Sequence, residues 1–122
     1  MTHTILIVDD DPTQRRLMQA VIERNGFATL QAASADEMFR VLGGPQGPDV
    51  GMVMLDLVMP GEDGISALKR LRPGNPELPV IVLTAQGGIE TVVSAMRAGA
   101  DDFLVKPASP ERILVSIRNC LK

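Results

Sequence analysis

A continuous apolar run near the amino terminus ends abruptly in acidic residues: Ile5-Leu6-Ile7-Val8-Asp9-Asp10-Asp11-Pro12. Four apolar residues in a row, without alternation, are typical of a strand buried on both faces, as in a parallel sheet between helices. Carboxylates directly after such a strand lie at its carboxyl end, where open α/β sheets bind their ligands. This stretch therefore predicts an α/β fold with a site at one edge of its sheet.

Three later apolar runs end in the same way, each in one reactive side chain. They are Val53-Met54-Leu55 before Asp56, Val80-Ile81-Val82-Leu83 before Thr84, and Phe103-Leu104-Val105 before Lys106. If all four runs are parallel strands of one sheet, their polar ends meet at one edge. We therefore expect three carboxylates, a hydroxyl and an ammonium to converge there.

The segments between the strands predict helices. Asp11 is suited to cap the first helix, which Pro12 begins and which ends before Gly26. The capping-box spacing of Ser34 and Glu37 predicts the start of a second helix that runs toward Leu42. A third helix is expected from Ile65, Leu68 and Leu71, and a last one after Ser109-Pro110.

The fourth helix is predicted from its apolar period. Ile89, Val92, Val93 and Met96 fall at i, i+3, i+4 and i+7, the spacing of one helix face, with Gly99 as the stop signal.

A weaker strand at residues 29–32, expected nearer the edge, brings the total to five strands alternating with five helices. Right-handed crossovers and five parallel strands favour the doubly wound, flavodoxin-like order 2-1-3-4-5. In that order strands one and three are neighbours, so Asp9, Asp10 and Asp56 would share a crevice. We expect residues 1–122 to form a single domain.

Composition narrows the classes of function. A length of 122 residues with 45% hydrophobic content suffices for one core without disulfide or metal support. A net charge of -3 and the absence of Trp and Tyr argue against direct nucleic-acid binding. The short apolar run at residues 5–8 is unlike a secretory or membrane-spanning segment, which predicts a cytoplasmic protein.

The predicted acidic cluster requires a cation. Two carboxylates about 4 Å apart repel by roughly 4 kcal/mol at an effective dielectric of about 20. A hard, oxygen-seeking ion that keeps some of its waters suits such an open carboxylate edge, so Mg²⁺ is the expected cofactor. Because carboxylates also act as nucleophiles in aspartyl-phosphate formation, one of the three is a candidate phosphoacceptor.

Four separated elements of the chain together resemble the signature of two-component response-regulator receiver domains. They are Val8-Asp9-Asp10, Asp56-Leu57-Val58-Met59-Pro60-Gly61-Glu62-Asp63-Gly64, Thr84-Ala85 and Lys106-Pro107. The resemblance extends over the whole chain. The chemotaxis member of that family has the flavodoxin-like strand order, so the resemblance implies the same topology.

The resemblance implies a role for each matching residue. Asp56 is the implied phosphoacceptor, and Asp9 and Asp10 are implied Mg²⁺ ligands. Val58 would contribute only its backbone carbonyl to the metal. Thr84 would donate its hydroxyl to a phosphoryl oxygen, and Lys106 would pair with the phosphoryl group.

The implied function is a signalling switch rather than a turnover enzyme. A histidine kinase or phosphotransfer protein would supply the phosphoryl group, and Thr84 and Phe103 would pass the change to the surface of helix four, strand five and helix five. That surface would contact an output domain or effector protein, or a second copy of the chain. Residues 96–107 most resemble receivers that precede enhancer-binding transcription activators.

Val58 and Gln86 occupy two positions that vary in character within the family and influence how long the phosphoryl group survives. An apolar Val58 side chain cannot orient an attacking water molecule, so we hypothesise slow self-dephosphorylation.

Three other functions compete with this interpretation. A haloacid-dehalogenase-type phosphatase needs a second Asp two places after the nucleophile, where this chain has Val58. A flavin or nucleotide carrier needs a Gly-rich or hydroxyl-rich phosphate loop, whereas Asp9, Asp10 and Asp11 would repel phosphate. A degenerate receiver that only binds protein does not fit the complete residue set.

Overall fold

The computed structural model describes residues 4–59, 61–85 and 88–121. Within these residues five strands alternate with five α-helices, as predicted. Their bounds are β1 Thr4–Val8, α1 Pro12–Arg24, β2 Ala28–Ala32, α2 Ala35–Leu42, β3 Val50–Asp56, α3 Gly64–Leu71, β4 Val80–Thr84, α4 Ile89–Arg97, β5 Asp102–Val105 and α5 Pro110–Cys120. Pro60 and Gln86, both named in the sequence predictions, lie outside the described residues.

The strands form one parallel sheet in the order β2-β1-β3-β4-β5, which confirms the predicted topology. The weak second strand lies at an edge, also as predicted. In the β1–β3 ladder Val8, the last residue of β1, pairs with Leu55, so Asp9 and Asp56 follow at the same level of the sheet. Strands β1 and β3 are therefore neighbours, and the residues that follow them share one rim.

Helices cover both faces of the sheet, and alternate strand residues divide between two cores. Leu6, Val53 and Val82 contribute to the core under α2, α3 and α4, together with Met38 and Leu68 from the helices. The other core lies under α1 and α5. Its fully or nearly fully buried residues are Ile5, Ile7, Ile22, Met52, Met54, Ile81, Leu83, Leu104, Ile113 and Ile117. Burial on both faces is the physical reason why the strand sequences do not alternate.

The predicted helix starts are confirmed. The Asp11 carboxylate accepts hydrogen bonds from the N–H groups of Thr13 and Gln14. The hydroxyl of Ser34 accepts from the Glu37 N–H at 3.1 Å. The carboxylate of Glu37 accepts from the N–H of Ala33 at 2.6 Å rather than from that of Ser34, so the capping box extends one residue further back than its usual form.

Three of the four apolar residues that predicted α4 lie mainly outside the face that packs on the sheet, whereas the fourth, Val92, is half-buried. The helix is present and stops before Gly99, but Ile89 is 81% exposed, and Val93 and Met96 are about 40% exposed. The buried residue of α4 is Ala95, and Ala98 follows it into the core. Small alanine side chains let the helix approach the sheet closely, and this orientation turns the larger residues outward.

No helix in the described ranges combines the length and the apolar character needed to cross a membrane.

Candidate functional site

The carboxyl ends of the strands bring the predicted site residues together. Asp9 directly follows β1, and Asp56 is the last residue of β3. One carboxylate oxygen from each of Asp9, Asp10 and Asp56 lies within 4.8 Å of the others. Asp9 and Asp56 are buried, whereas Asp10 is exposed at the rim. The three acids thus form one cluster, as the strand order predicted.

Asp9 is held at each of its polar groups. Its backbone N–H donates to the Ala32 carbonyl of β2 at 3.1 Å, and its carbonyl accepts from Arg15 Nη1 at 2.6 Å. On the side chain, Oδ1 accepts from the Asp11 N–H at 3.0 Å and Oδ2 accepts from Lys106 Nζ at 3.0 Å. A buried carboxylate with all of these partners keeps a single orientation.

Lys106 joins the strand-five end of the site to the acids. Its ammonium lies 3.0 Å from Asp9 Oδ2 and 3.2 Å from Asp56 Oδ2. Burial alone would lower the pKa of Lys106, but the hydrogen bond to Asp9 and the charges of Asp56 and Asp9 outweigh burial and raise it. The lysine is therefore charged at neutral pH and neutralises one of the three acids. The Lys106-Pro107 peptide bond is cis.

The Asp56 carboxylate is costly to ionise where it lies. Burial raises its pKa, and the nearby Asp9 charge acts in the same direction. The Val58 N–H, which donates to Asp56 Oδ1 at 3.2 Å, and the Lys106 ammonium lower the pKa, but not enough to restore the ordinary value. The ionised form of Asp56 would therefore be stabilised by further positive charge.

The start of α3 at Gly64 lies close to the end of β3. The Gly64 N–H donates to the Leu57 carbonyl at 3.0 Å, and a Cβ atom at Gly64 would lie 2.5 Å from the Asp56 carbonyl oxygen. Leu57 is buried, but the Val58 side chain is 68% exposed. The glycine at position 64 thus has a steric explanation in the close approach of α3 to β3.

Thr84 and Phe103 lie on the neighbouring strands. Thr84 ends β4 and is buried, and its carbonyl accepts from the Lys106 N–H at 2.8 Å. A cleft of about 460 Å³ opens beside Thr84 between α3 and α4, with Val58 and Asp63 also in its wall. Phe103 pairs with Val82 in the ladder and packs, half-buried, against the core under α4.

The donor set fits a hard divalent cation. Three carboxylates and one ammonium leave an excess of two negative charges when the acids are ionised, and the clustered donors are all oxygen atoms. Oxygen donors at a partly exposed rim favour Mg²⁺, which keeps several waters in its coordination shell.

Sequence reasoning missed Arg15. This half-buried residue lies in the first turns of α1, where a polar side chain is ordinarily solvated. Its position six residues after Asp9 carries no motif, and only the path of the chain at the β1–α1 junction brings the guanidinium to the Asp9 carbonyl.

Comparison with known families agrees with this geometry. Residues 5–118 match the sequence model of the family described as response regulator receiver domain. This chain belongs to that family. Phosphorylation-dependent switching is the general function of receiver domains in two-component response regulators, and they bind Mg²⁺ at an acidic pocket of this kind.

Related proteins are considerably longer than this chain. Protein PetR of Rhodobacter capsulatus is 38% identical over 118 residues, which cover 97% of this receiver and 48% of PetR. The C4-dicarboxylate transport transcriptional regulatory protein DctD of Rhizobium meliloti is 36% identical over 115 residues, 94% of this receiver and 24% of DctD. The chain therefore spans about half of one relative and a quarter of the other.

The fold also matches solved receivers. A crystal structure of the CheX-CheY-BeF3-Mg+2 complex from Borrelia burgdorferi contains a chain that is 27% identical, with a TM-score of 0.89 over 96% of this chain and 87% of that one.

Proposed function

We propose that residues 1–122 form a single receiver domain, in which Asp56 accepts a phosphoryl group from a partner histidine kinase or phosphotransfer protein. The observation that carries the proposal is the convergence of the Asp9, Asp10 and Asp56 carboxylates with the Lys106 ammonium at one rim of the sheet. A buried carboxylate beside a lysine and two further acids has the parts that phosphoryl transfer to aspartate requires.

The reaction is a displacement at phosphorus. An Asp56 carboxylate oxygen forms the new P–O bond while the bond from phosphorus to the donor's leaving atom breaks, and that atom keeps the bonding electrons. Lys106 stabilises charge on the phosphoryl oxygens, and the Thr84 hydroxyl donates to one of them. The protein turns over no separate substrate, because the phosphoryl group stays on its own side chain until water removes it.

Asp9, Asp10, Asp56 and the Val58 backbone carbonyl would hold Mg²⁺. When bound, the ion neutralises charge that develops on the phosphoryl oxygens. The raised pKa of Asp56 supports this assignment, because a cation at the cluster offsets the cost of ionising a buried acid.

The switch is proposed to pass through Thr84 and Phe103 to the surface of α4, β5 and α5. Phosphorylation adds roughly -1.5 to -2 charge and three strong acceptors, which draw Thr84 and Lys106 inward. Exposed apolar residues on these elements support their use as a contact surface. They are Ile89, Val93, Met96, Val105 and Val115.

The longer relatives suggest the output. DctD is a transcriptional regulatory protein, and this chain corresponds to about a quarter of its length. We propose that the receiver controls an output domain or effector in the cytoplasm, as in enhancer-binding transcription activators, and pairs with a second copy through the α4, β5 and α5 surface. The receiver itself is proposed to make no direct nucleic-acid contact, in keeping with its net charge of -3.

Incubation with acetyl phosphate and Mg²⁺, followed by intact-protein mass spectrometry, tests the proposal. The parent chain should gain one phosphoryl group, Asp56→Asn should gain none, and the control Asp49→Asn should behave as the parent. Asp49 is an exposed carboxylate directly before the first residue of β3, at the opposite edge of the sheet from the cluster. Continuous phosphate release without a stable adduct would favour a phosphatase, and a yellow bound chromophore would favour a flavin carrier.

A further inference from the structure

A hydrogen-bonded network of polar side chains runs along α1 and β2 and ends at the acidic cluster. Arg15 Nη1 donates to the Asp9 carbonyl at 2.6 Å, while Arg15 Nε donates to Gln31 Oε1 at 3.2 Å. Gln31 in turn donates to Gln19 at 2.6 Å, and Gln19 donates to the Glu23 carboxylate at 3.1 Å. Thr29 also donates to Glu23, at 2.5 Å.

At the acidic cluster, the network donates a hydrogen bond to one peptide group. The Asp9 carbonyl belongs to the peptide bond between Asp9 and Asp10, and a peptide group is planar. A donor that holds this oxygen therefore sets the plane from which the Asp10 residue departs. The Asp9 side chain is held independently by Asp11 and Lys106.

Asp10 needs such an external constraint. It is exposed, and within the part of the chain that the structure describes its side chain forms no hydrogen bond or ion pair with another residue. Its carboxylate nevertheless lies within 4.8 Å of those of Asp9 and Asp56. Its place in the cluster thus depends on the backbone that carries it.

The geometry points to Arg15 as a positioning residue that fixes the Asp9–Asp10 peptide and so keeps the Asp10 carboxylate in the divalent-cation site. Gln31 acts as its anchor, because the planar guanidinium bridges the Gln31 amide and the Asp9 carbonyl at once. This inference rests on the proposed function, since it concerns the Mg²⁺ site proposed there.

Charge and positioning make opposite predictions for Arg15. As a charge alone, a guanidinium beside the cluster repels a cation, so its removal would tighten Mg²⁺ binding. As a positioning residue, its removal loosens Asp10 and weakens binding. Loss of a residue that orients a metal ligand typically costs about 10-fold or more in metal affinity.

Mg²⁺ titration by isothermal calorimetry, on the whole chain without a phosphoryl donor, separates the two roles. Arg15→Lys keeps the charge but offers a single nitrogen in place of Nη1 and Nε, which contact the Asp9 carbonyl and Gln31 separately. This variant should bind Mg²⁺ about 10-fold more weakly. Arg15→Gln should also bind more weakly than the parent, despite the lost repulsion. The control is Arg16→Gln, at an exposed neighbour on α1 with no hydrogen bond or ion pair to any described residue, and it should match the parent.

A second variant tests the anchor without touching the site. Gln31→Met keeps the length of the side chain and removes the oxygen that accepts from Arg15. In the parent it should weaken Mg²⁺ binding about 2- to 3-fold. In an Arg15→Lys background it should have no further effect, because the effects of coupled residues are not additive. A merely structural role would instead lower thermal stability equally with and without Mg²⁺.

Tighter binding by Arg15→Gln, or parent-like binding by Arg15→Lys, overturns this inference alone. A parent chain that does not bind Mg²⁺ overturns the proposed function and this inference with it.

Discussion

The Lys106 ammonium lies 3.2 Å from the Asp56 carboxylate, so one cation of the protein occupies the side of the cluster where a phosphoryl group would be received. This ion pair therefore affects both the stability of the protein without Mg²⁺ and the proposed acceptance of a phosphoryl group by Asp56. The same lysine also touches Asp9, so its removal leaves two buried acids without their shared partner.

Replacing that lysine should separate stability from metal binding. Without Mg²⁺, Lys106→Met should lower the melting temperature, because the buried acids lose their counter-charge. The rise in melting temperature on adding Mg²⁺ should be larger than in the parent, because the lysine ammonium no longer competes with the metal for the carboxylates. Differential scanning fluorimetry over a Mg²⁺ series measures both effects. Lys69→Met, at an exposed lysine of α3, is the control. An unchanged metal-free melting temperature would contradict the prediction.

The raised pKa of Asp56 predicts a pH-dependent effect of its substitution. Because the folded state holds the proton more tightly than the unfolded chain does, ionisation above the unfolded pKa of about 3.9 favours unfolding. Asp56→Asn removes this cost, so it should melt above the parent near pH 7 without Mg²⁺. The difference should shrink as the pH falls toward about 4 and vanish below about pH 3, where the parent carboxyl is protonated in both states. If the difference in melting temperature between Asp56→Asn and the parent widens as the pH falls, the prediction is contradicted.

The close approach at Gly64 predicts a steric penalty. A Cβ atom there would meet the Asp56 carbonyl at 2.5 Å, so Gly64→Ala should destabilise the fold by about 1–3 kcal/mol. It should also slow phosphorylation, because it would displace the end of β3 that carries Asp56. Chemical denaturation measures the stability. Gly74→Ala is the matched control, because a Cβ atom at that position meets nothing within 4 Å. Equal effects of the two substitutions would contradict the steric explanation.

The orientation of α4 predicts which of its residues matter for stability. Ile89→Ala should change the free energy of unfolding by less than about 0.5 kcal/mol, because the side chain is 81% exposed. Ala95→Leu should cost about 1–3 kcal/mol, because the buried methyl group of Ala95 lies between helix and sheet. The reverse ranking in urea denaturation would mean that the predicted apolar stripe packs on the core.

The exposed Val58 side chain is hypothesised to prolong the lifetime of a phosphoryl group on Asp56. Val58→Asn places an amide beside the bond that water must break, so we expect acyl-phosphate decay to be faster than in the parent. The decay is measured as the loss of the phosphorylated mass with time. Ala20→Asn, at an exposed residue of α1, should leave the decay unchanged. A Val58→Asn decay no faster than the parent's would refute the slow-dephosphorylation hypothesis.

Local sequence patterns predicted the strands and helices, their order, and the edge of the sheet at which the candidate site lies. Apolar runs without alternation identified strands buried on both faces. Strict alternation with helices left few topologies, among which five strands favoured the flavodoxin-like order that the family resemblance also implied. Because every strand of such a sheet runs the same way, the residues after each run had to meet, and Asp9, Asp56, Thr84 and Lys106 do lie at one rim.

Three features were decided by the tertiary structure alone. The rotation of α4 depends on how closely a helix can approach the sheet, so Ala95 faces inward and Ile89 outward despite the apolar period. The contact between Arg15 and Asp9 depends on the path of the β1–α1 junction, and the need for glycine at position 64 depends on where α3 crosses β3. Hydrophobic period is a property of consecutive residues, and the helical crossovers between strands favour a parallel sheet. The distance between atoms of separate elements is set only when their side chains pack together.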